Sequence, residues 1–286
     1  MTGPQAALLG DGRRVHFQHG PIDLIIEAFG PADAVRAAYG QAWARFQMVL
    51  EELVAELPLL RGPADPAAPL RGRVARRMQA AVCRHLPLFI TPMAAVAGAV
   101  ADEVLAALVA GLPLERAYVN DGGDVALFLT PGTRIDAAIW AEGDAGRATI
   151  RAEDPIRGLA TSGWRGRSHS LGIADAVTVL ARCAAGADAA ATLIANAVDL
   201  PAHPAIDRAP ARELAPDSDL GDRLVTTGVG RLTPEEVAEA LGRGALCAEA
   251  MRGSGLIEAA ALFLAGQSRI VGALPLSASE GALIRA

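Results

Sequence analysis

The chain has 286 residues, of which 52% are apolar and only 4% aromatic, and its formal net charge is −6. That length allows one large domain or two small ones, with a core built from many small aliphatic contacts rather than a few rings. Every one of the 26 basic residues is arginine, which excludes a Schiff-base lysine and a Walker lysine over a triphosphate, and the acidic balance leaves no footprint for nucleic acid or an anionic membrane.

Taken in chain order, residues 14–29 read as a hairpin, with Val15 and Phe17 alternating before a His19-Gly20-Pro21 turn and Ile22, Leu24 and Ile26 after it. From Pro31 to Leu57 the apolar residues fall at helical spacing, and Pro31 suits a first helical position. Residues 58–72 carry four prolines and two glycines and read as a loop, followed by a basic amphipathic stretch over 73–85. Thr91-Pro92 signals an N-cap and first turn, and Gly111 closes the helix they open. Short strands follow at 117–120, 124–129, 134–140 and 148–152, punctuated by Asn120-Asp121-Gly122-Gly123 and Pro131-Gly132. A strand at 176–181 leads into a helix from 187 to 198, and the proline-rich segment 199–219 reads as a surface excursion. Thr233-Pro234-Glu235-Glu236 is a capping box opening a helix that ends near Gly253, and 256–264 with 269–274 form a closing hairpin.

Adjacent strands joined by short turns imply antiparallel pairing, so the expected class is α+β, with no linker dividing residues 1–286 and hence a single domain. Cys83, Cys183 and Cys247 stand far apart, with neither metal-ligand spacing nor a disulfide framework. No signal peptide is visible, and the apolar run 94–111 is interrupted by Asp102 and Glu103, so the expected location is cytoplasmic, with no membrane partner. Base rates favour a homodimer.

Three segments carry the polar chemistry. Asn120-Asp121-Gly122-Gly123-Asp124 lies between two strands; paired glycines allow close approach to the backbone and free N–H groups for an anion, although turn chemistry alone explains them. Residues 160–170 pack Thr161, Ser162, Gly163, Trp164, Arg165, Arg167, Ser168, His169 and Ser170 into one donor-rich loop, with Trp164 available to stack on a ring. His169 is the obvious proton-transfer group there. A serine hydrolase is disfavoured, since the Gly-x-Ser-x-Gly elbow is missing. Asp188 and Thr192, four apart, share a helix face and offer a carboxylate and a hydroxyl to a hard cation such as Mg²⁺; the bland alternative is that Asp188 complements its own helix dipole.

The succession of Ala95 to Asp102, Asn120 to Val125, Ala160 to Gly163 and Ala187 to Thr192 resembles the ApbE family, flavin transferases that take FAD and attach FMN to a protein threonine with Mg²⁺. The resemblance covers about residues 90–200, and the wording around Pro92 to Gly98 and Ser168 to Gly172 is closest to a short ApbE-like branch. It implies a T-fold-like architecture, with helices packed on antiparallel sheets. It also implies that Asp188 and Thr192 bind the metal, that Ala94 offers it a main-chain carbonyl, and that Asp102 lies near the adenine side of FAD. Asn120, Gly122, Gly123, Asp124, Thr161, Ser162 and Gly163 would then line the nucleotide pocket. Three departures bear on flavin transfer itself: Ala97 replaces a lysine, Thr91 an aspartate, and Ser170 to Asp175 the segment following the family's histidine.

Two functions follow as expectations. One is a Mg²⁺-dependent enzyme acting on a flavin nucleotide, FAD or FMN, or another anionic, phosphorylated small molecule, with His169 catalytic and Arg165, Arg167, Ser168 and Ser170 among the ligand-binding donors. The other is a flavin- or ligand-binding module that has lost the transfer chemistry.

Overall fold

The computed structural model describes residues 3–139, 146–273 and 284–285. Its strands are β1 (Gln5–Leu8), β2 (Val15–His19), β3 (Ile22–Phe29), β4 (Arg116–Asp121), β5 (Asp124–Leu129), β6 (Arg134–Ile139), β7 (Gly146–Arg151), β8 (Gly158–Ser162), β9 (Ala176–Ala181), β10 (Ile206–Pro210), β11 (Leu224–Val229), β12 (Ala259–Leu264), β13 (Gln267–Val271) and β14 (Ile284–Arg285). The helices are α1 (Ala32–Ala55), α2 (Leu57–Leu60), α3 (Arg73–Cys83), α4 (Val96–Val109), α5 (Ala184–Ala197), α6 (Ala211–Leu214) and α7 (Pro234–Gly253).

Nine strands form one sheet in the order β1-β2-β3-β4-β5-β8-β9-β12-β13, and every neighbouring pair in it is antiparallel. The α+β expectation holds, with one exception: β14 pairs parallel with β6 in a small three-stranded sheet. Successive side chains on a strand face opposite ways, and here both faces are covered. Ala117, Val119, Ala126, Val177 and Val179 point into a large core shared with α1, α4, α5 and α7. Tyr118, Val125, Leu127, Leu159 and Leu180 point the other way, onto Ile135 and Ile150 of the β6–β7 hairpin. This explains why all six residues of β9 are buried. Two expected strand ends, Trp140 and Leu274, lie outside the described residues.

Helix α1 buries Ala34, Ala38, Ala42, Phe46, Val49 and Leu53, the stripe that its sequence spacing requires. It starts at Ala32, with Pro31 as the residue before the first turn. The capping box of α7 is formed in full: Thr233 Oγ1 accepts from Glu236 N–H while the Glu236 side chain takes Thr233 N–H.

Thr91-Pro92 does not open the next α-helix directly. A single 3₁₀ turn over Pro92–Ala95 precedes α4, and the Thr91 hydroxyl donates to Asp219 instead of capping. The stretch Pro92–Val109 is long and apolar enough to cross a bilayer by composition alone. Here it packs on α1, α5, β4 and β5, with Glu103 buried against the guanidinium groups of Arg45 and Arg77. At the crossing of α4 and α5 the two backbones touch: a Cβ added to Gly98 would lie 2.3 Å from the Ala184 carbonyl oxygen. Only glycine permits that approach.

Segment 199–219 is more than a surface excursion. Strands β10 and β11 pair as a hairpin around α6, and the turns after α6 form one wall of the cavity described below. Arg223 seats this wall by stacking its guanidinium 3.3 Å from the Phe89 ring centroid.

Candidate functional site

A cavity of about 740 Å³ opens where α5, the β4–β5 turn, β8 with the loop after it, residues 89–97 and residues 215–220 converge. The β4–β5 turn has two central residues, Gly122 at φ +63° and Gly123 at φ +119°, both in the region that glycine adopts freely. Its register places Asp121 opposite Asp124, so a two-residue hairpin delivers both carboxylates to one end of the cavity. Asn120 Oδ1 accepts from Gly123 N–H at 2.8 Å and fixes the turn. An added Cβ on Gly122 would fall 1.7 Å from a terminal nitrogen of the Arg167 guanidinium, so the tip of that side chain rests against the turn.

Beside this turn, α5 begins at Ala184, three residues earlier than its sequence suggests, with Cys183 as N-cap. Asp188 therefore stands beyond the first turn and does not complement its own helix dipole. Its Oδ2 accepts from Gly98 N–H at 3.1 Å, at the start of α4, and Ala97 N–H also points to it. Asp188 and Asp124 lie close together, and two carboxylates this near favour holding a proton between them. Burial pushes Asp188 up to about 7, the Asp121 charge adding to it and the Gly98 N–H opposing. Asp124 lies well above the usual carboxylate range through burial and the Asp188 charge. Asp121 is pushed up to about 8, by burial first and then by Asp124.

Six aspartates and three arginines line the cavity among the described residues. An anionic guest entering such a pocket needs a cation. The donors at hand are hard oxygens: the Asp124 and Asp188 carboxylates and the Thr192 hydroxyl one turn further along α5, with Ala94 also on the wall. Among the described residues no three His, Cys, Asp or Glu side chains form a ready metal cluster. This set thus suits an ion that keeps waters or guest oxygens in its shell, as Mg²⁺ does, and not a thiolate or imidazole metal. The crowding of the Asp124 and Asp188 carboxylates fits that ion too, because a divalent charge would relieve their mutual repulsion.

Most of the residues singled out by sequence meet in this cavity. Ala94, Gly122, Gly123, Asp124, Asp188 and Thr192 line one side. Thr161, Ser162, Gly163, Arg165, Arg167, Ser168 and His169 line another, the last four exposed on the rim. Thr161 N–H is spent on Asp124 Oδ1 at 3.2 Å, and its hydroxyl pairs with Thr178 at 2.8 Å.

Four assignments need correction. Asp102 does not line the cavity: it accepts from Ala184 and Ala185 N–H, each at 3.0 Å, and caps α5. Asn120 serves the turn through the bond to Gly123 and is not among the lining residues. Ser170 is buried behind the wall, bonded to Asn196 and Gly172. Trp164 likewise does not face the cavity, its indole N–H donating to Asp175 at 3.3 Å. Arg165 does line the cavity, yet its Nε is held on Asp175 at 2.7 Å, which leaves Arg167 as the more available cation of that loop.

The cavity also holds Asp121, which the sequence reading placed in the glycine turn without a role of its own, and residues it passed over: Asp175, Asn196 and, on the β10–β11 wall, Asp217 and Asp219. Asp175 gathers Arg165 and Trp164 on Oδ1 and the Ala265 N–H on Oδ2 at 2.6 Å. Asn196 had a signal, since it continues the four-residue spacing of Asp188 and Thr192. The wall residues had none, because only tertiary contacts bring them here.

A family model described as AbpE bacteria matches residues 6–270. A UPF0280 protein of Methanothrix thermoacetophila is 36% identical over 162 residues, covering 52% of this chain and 63% of the relative. A second UPF0280 protein, from Methanoregula boonei, is 30% identical over 218 residues, covering 74% of this chain and 89% of that one. The chain thus spans less than two thirds of the Methanothrix relative's length and most of the Methanoregula one's. Among solved structures, the apo form of the flavinyl transferase ApbE from Pseudomonas stutzeri superposes with a TM-score of 0.47 at 14% identity, over 94% of this chain and 92% of that one.

Proposed function

The chain belongs to the family described as AbpE bacteria, and on that premise we propose that it is a Mg²⁺-dependent enzyme acting on an anionic, phosphorylated small molecule, with a flavin nucleotide (FAD or FMN) as the leading candidate. The observation that carries this reading is the pairing of Asp188 with Thr192 on one turn of α5, beside Asp124 at the end of the glycine turn. In this reading Asp188, Thr192 and the Ala94 carbonyl hold the cation, with Asp124 as an added carboxylate. When bound, the ion neutralises phosphate oxygens and polarises the bond to be broken.

The chain's own groups then have distinct tasks. Gly122 and Gly123 admit the guest close to the backbone of the turn. Arg167, resting on Gly122, supplies the positive charge that a lysine at position 97 would otherwise give. His169 on the rim carries the proton for the leaving or attacking oxygen. Ala97 contributes its N–H to Asp188 rather than a side chain to the guest.

Incubating the protein with FAD and Mg²⁺ and separating the products tests the reading: appearance of AMP and FMN, lost on chelation and in Asp188→Ala, is the expected result. An Asp188→Ala protein that works at the wild-type rate sinks the metal assignment. The alternative, a flavin- or ligand-binding module without chemistry, is favoured by the commitment of Arg165 to Asp175; it predicts Mg²⁺-dependent binding of FAD with no turnover.

A further inference from the structure

Asp188, Thr192 and Asn196 recur every fourth residue along α5, and all three line the cavity. They form one stripe of carboxylate, hydroxyl and carboxamide, each about 6 Å further along the axis than the last. The third member is oriented from behind. Asn196 Oδ1 accepts from Leu171 N–H at 2.9 Å and from Ser170 Oγ at 3.2 Å. Ser170 Oγ is in turn held by Gly172 N–H at 3.2 Å. A main-chain N–H can only donate, so the amide must meet it with oxygen, and its NH₂ group is turned away. That NH₂ donates to no group among the described residues, and Asn196 stands on the cavity wall.

We propose that Asn196 is a ligand-contacting residue whose NH₂ donates to a phosphoryl oxygen of the guest, one helical turn beyond the groups that hold the cation, and that Ser170 is its positioning residue. The inference rests on the cation-assisted reading of the cavity given above. The chemistry selects an oxygen acceptor: a carboxamide brings two donors and no charge, so it holds an oxyanion without competing with it for the cation. A wall already rich in aspartate needs such a neutral donor, because a further carboxylate at this point would repel the guest. It also gives the buried Ser170 a function that its position behind the wall otherwise lacks.

The test is calorimetric titration of FAD at saturating Mg²⁺ into the wild type, Asn196→Asp and Asn196→Ala, with Mn²⁺ titrated alone in parallel. Asn196→Asp keeps an oxygen for Leu171 and Ser170 and therefore the local fold, while replacing the donor with a charge. It is expected to weaken FAD binding by about 30-fold, and Asn196→Ala by about tenfold, the scale of a hydrogen bond to a charged group. Affinity for Mn²⁺ alone should stay within about twofold, the cation's ligands being untouched. Ser170→Ala should weaken FAD binding severalfold at unchanged Mn²⁺ affinity, and Ser170→Thr, which keeps the hydroxyl, should restore it. Wild-type FAD affinity in both Asn196 variants overturns this inference alone. If the wild type itself shows no Mg²⁺-dependent FAD binding, the parent reading falls and this one with it.

Discussion

Asp102 and Asp188 cap each other's helices. Asp102, on α4, accepts from the first N–H groups of α5, and Asp188, on α5, accepts from Gly98 at the start of α4. Each carboxylate thus meets the positive end of the neighbouring helix dipole and supplies an acceptor to N–H groups that have no partner within their own helix. The side chain proposed to hold a cation is therefore aimed by the same lock that fixes the crossing of the two helices.

Asp102→Ala leaves two N–H groups at the start of α5 without an acceptor. Unfolding in urea should show a loss of about 2 kcal/mol. Asp102→Asn, which keeps one oxygen, should lose less. If Asp102→Ala unfolds at the wild-type midpoint, the caps do not hold the crossing.

Asp188→Asn separates stability from function. The amide oxygen still accepts from Gly98, and the like-charge contact with Asp124 disappears. Without metal at pH 8 the variant should therefore melt higher than the wild type, while Mg²⁺-dependent binding or turnover is lost. A variant that melts lower and keeps Mg²⁺ dependence contradicts both halves of this expectation.

The same carboxylates set a pH dependence. Asp188 is pushed up to about 7 and Asp121 to about 8, with Asp124 well above its ordinary value of 3.8. Groups whose folded pKa is raised bind protons more tightly in the folded chain, so their contribution is fully present below about pH 4 and is lost as pH rises through 7 to 8. In the presence of a chelator the melting temperature should fall across that window. Excess Mg²⁺ should offset the fall, more strongly at pH 8 than at pH 5, since the ion and the protons compete for the same oxygens. Equal Mg²⁺ stabilisation at the two pH values would rule out these aspartates as ligands.

Gly98→Ala drives a methyl group into the Ala184 carbonyl, where the backbone contact leaves 2.3 Å. Both helices must shift, at about 1–3 kcal/mol. Because Gly98 N–H also holds Asp188, Mn²⁺ affinity should weaken together with stability. The control is Gly242→Ala on α7, where an added Cβ meets nothing within 4 Å; it should leave Mn²⁺ affinity unchanged and raise stability by about 0.5–1 kcal/mol, as alanine does for glycine inside a helix.

Local physics accounts for what was readable without the structure. The stripe on α1, the alternation through Val15 and Phe17, the box at Thr233 and the glycine turn each depend on residues within a few positions of one another. The β1 strand escaped notice because all four of its residues are exposed and show no alternation. The β8 strand was absorbed into a loop because its glycine, threonine and serine resemble turn chemistry, and the burial of Gly158, Leu159 and Ala160 comes from β5, β9 and α5. The reassignment of Asp102 from guest to cap, and of Ser170 from ligand to support, has the same cause: both partners lie in segments that only the folded chain brings near.

The bonds of Asp175 reach beyond the cavity. One of its oxygens anchors the Trp164–Arg165 loop, and the other takes the N–H of Ala265 in the turn joining β12 to β13. The far end of the chain thus acts as a peg for a loop some hundred residues upstream. A truncation before β12 would remove more than two outer strands, because the rim arginines would lose their reference point and the mouth of the cavity would be remade.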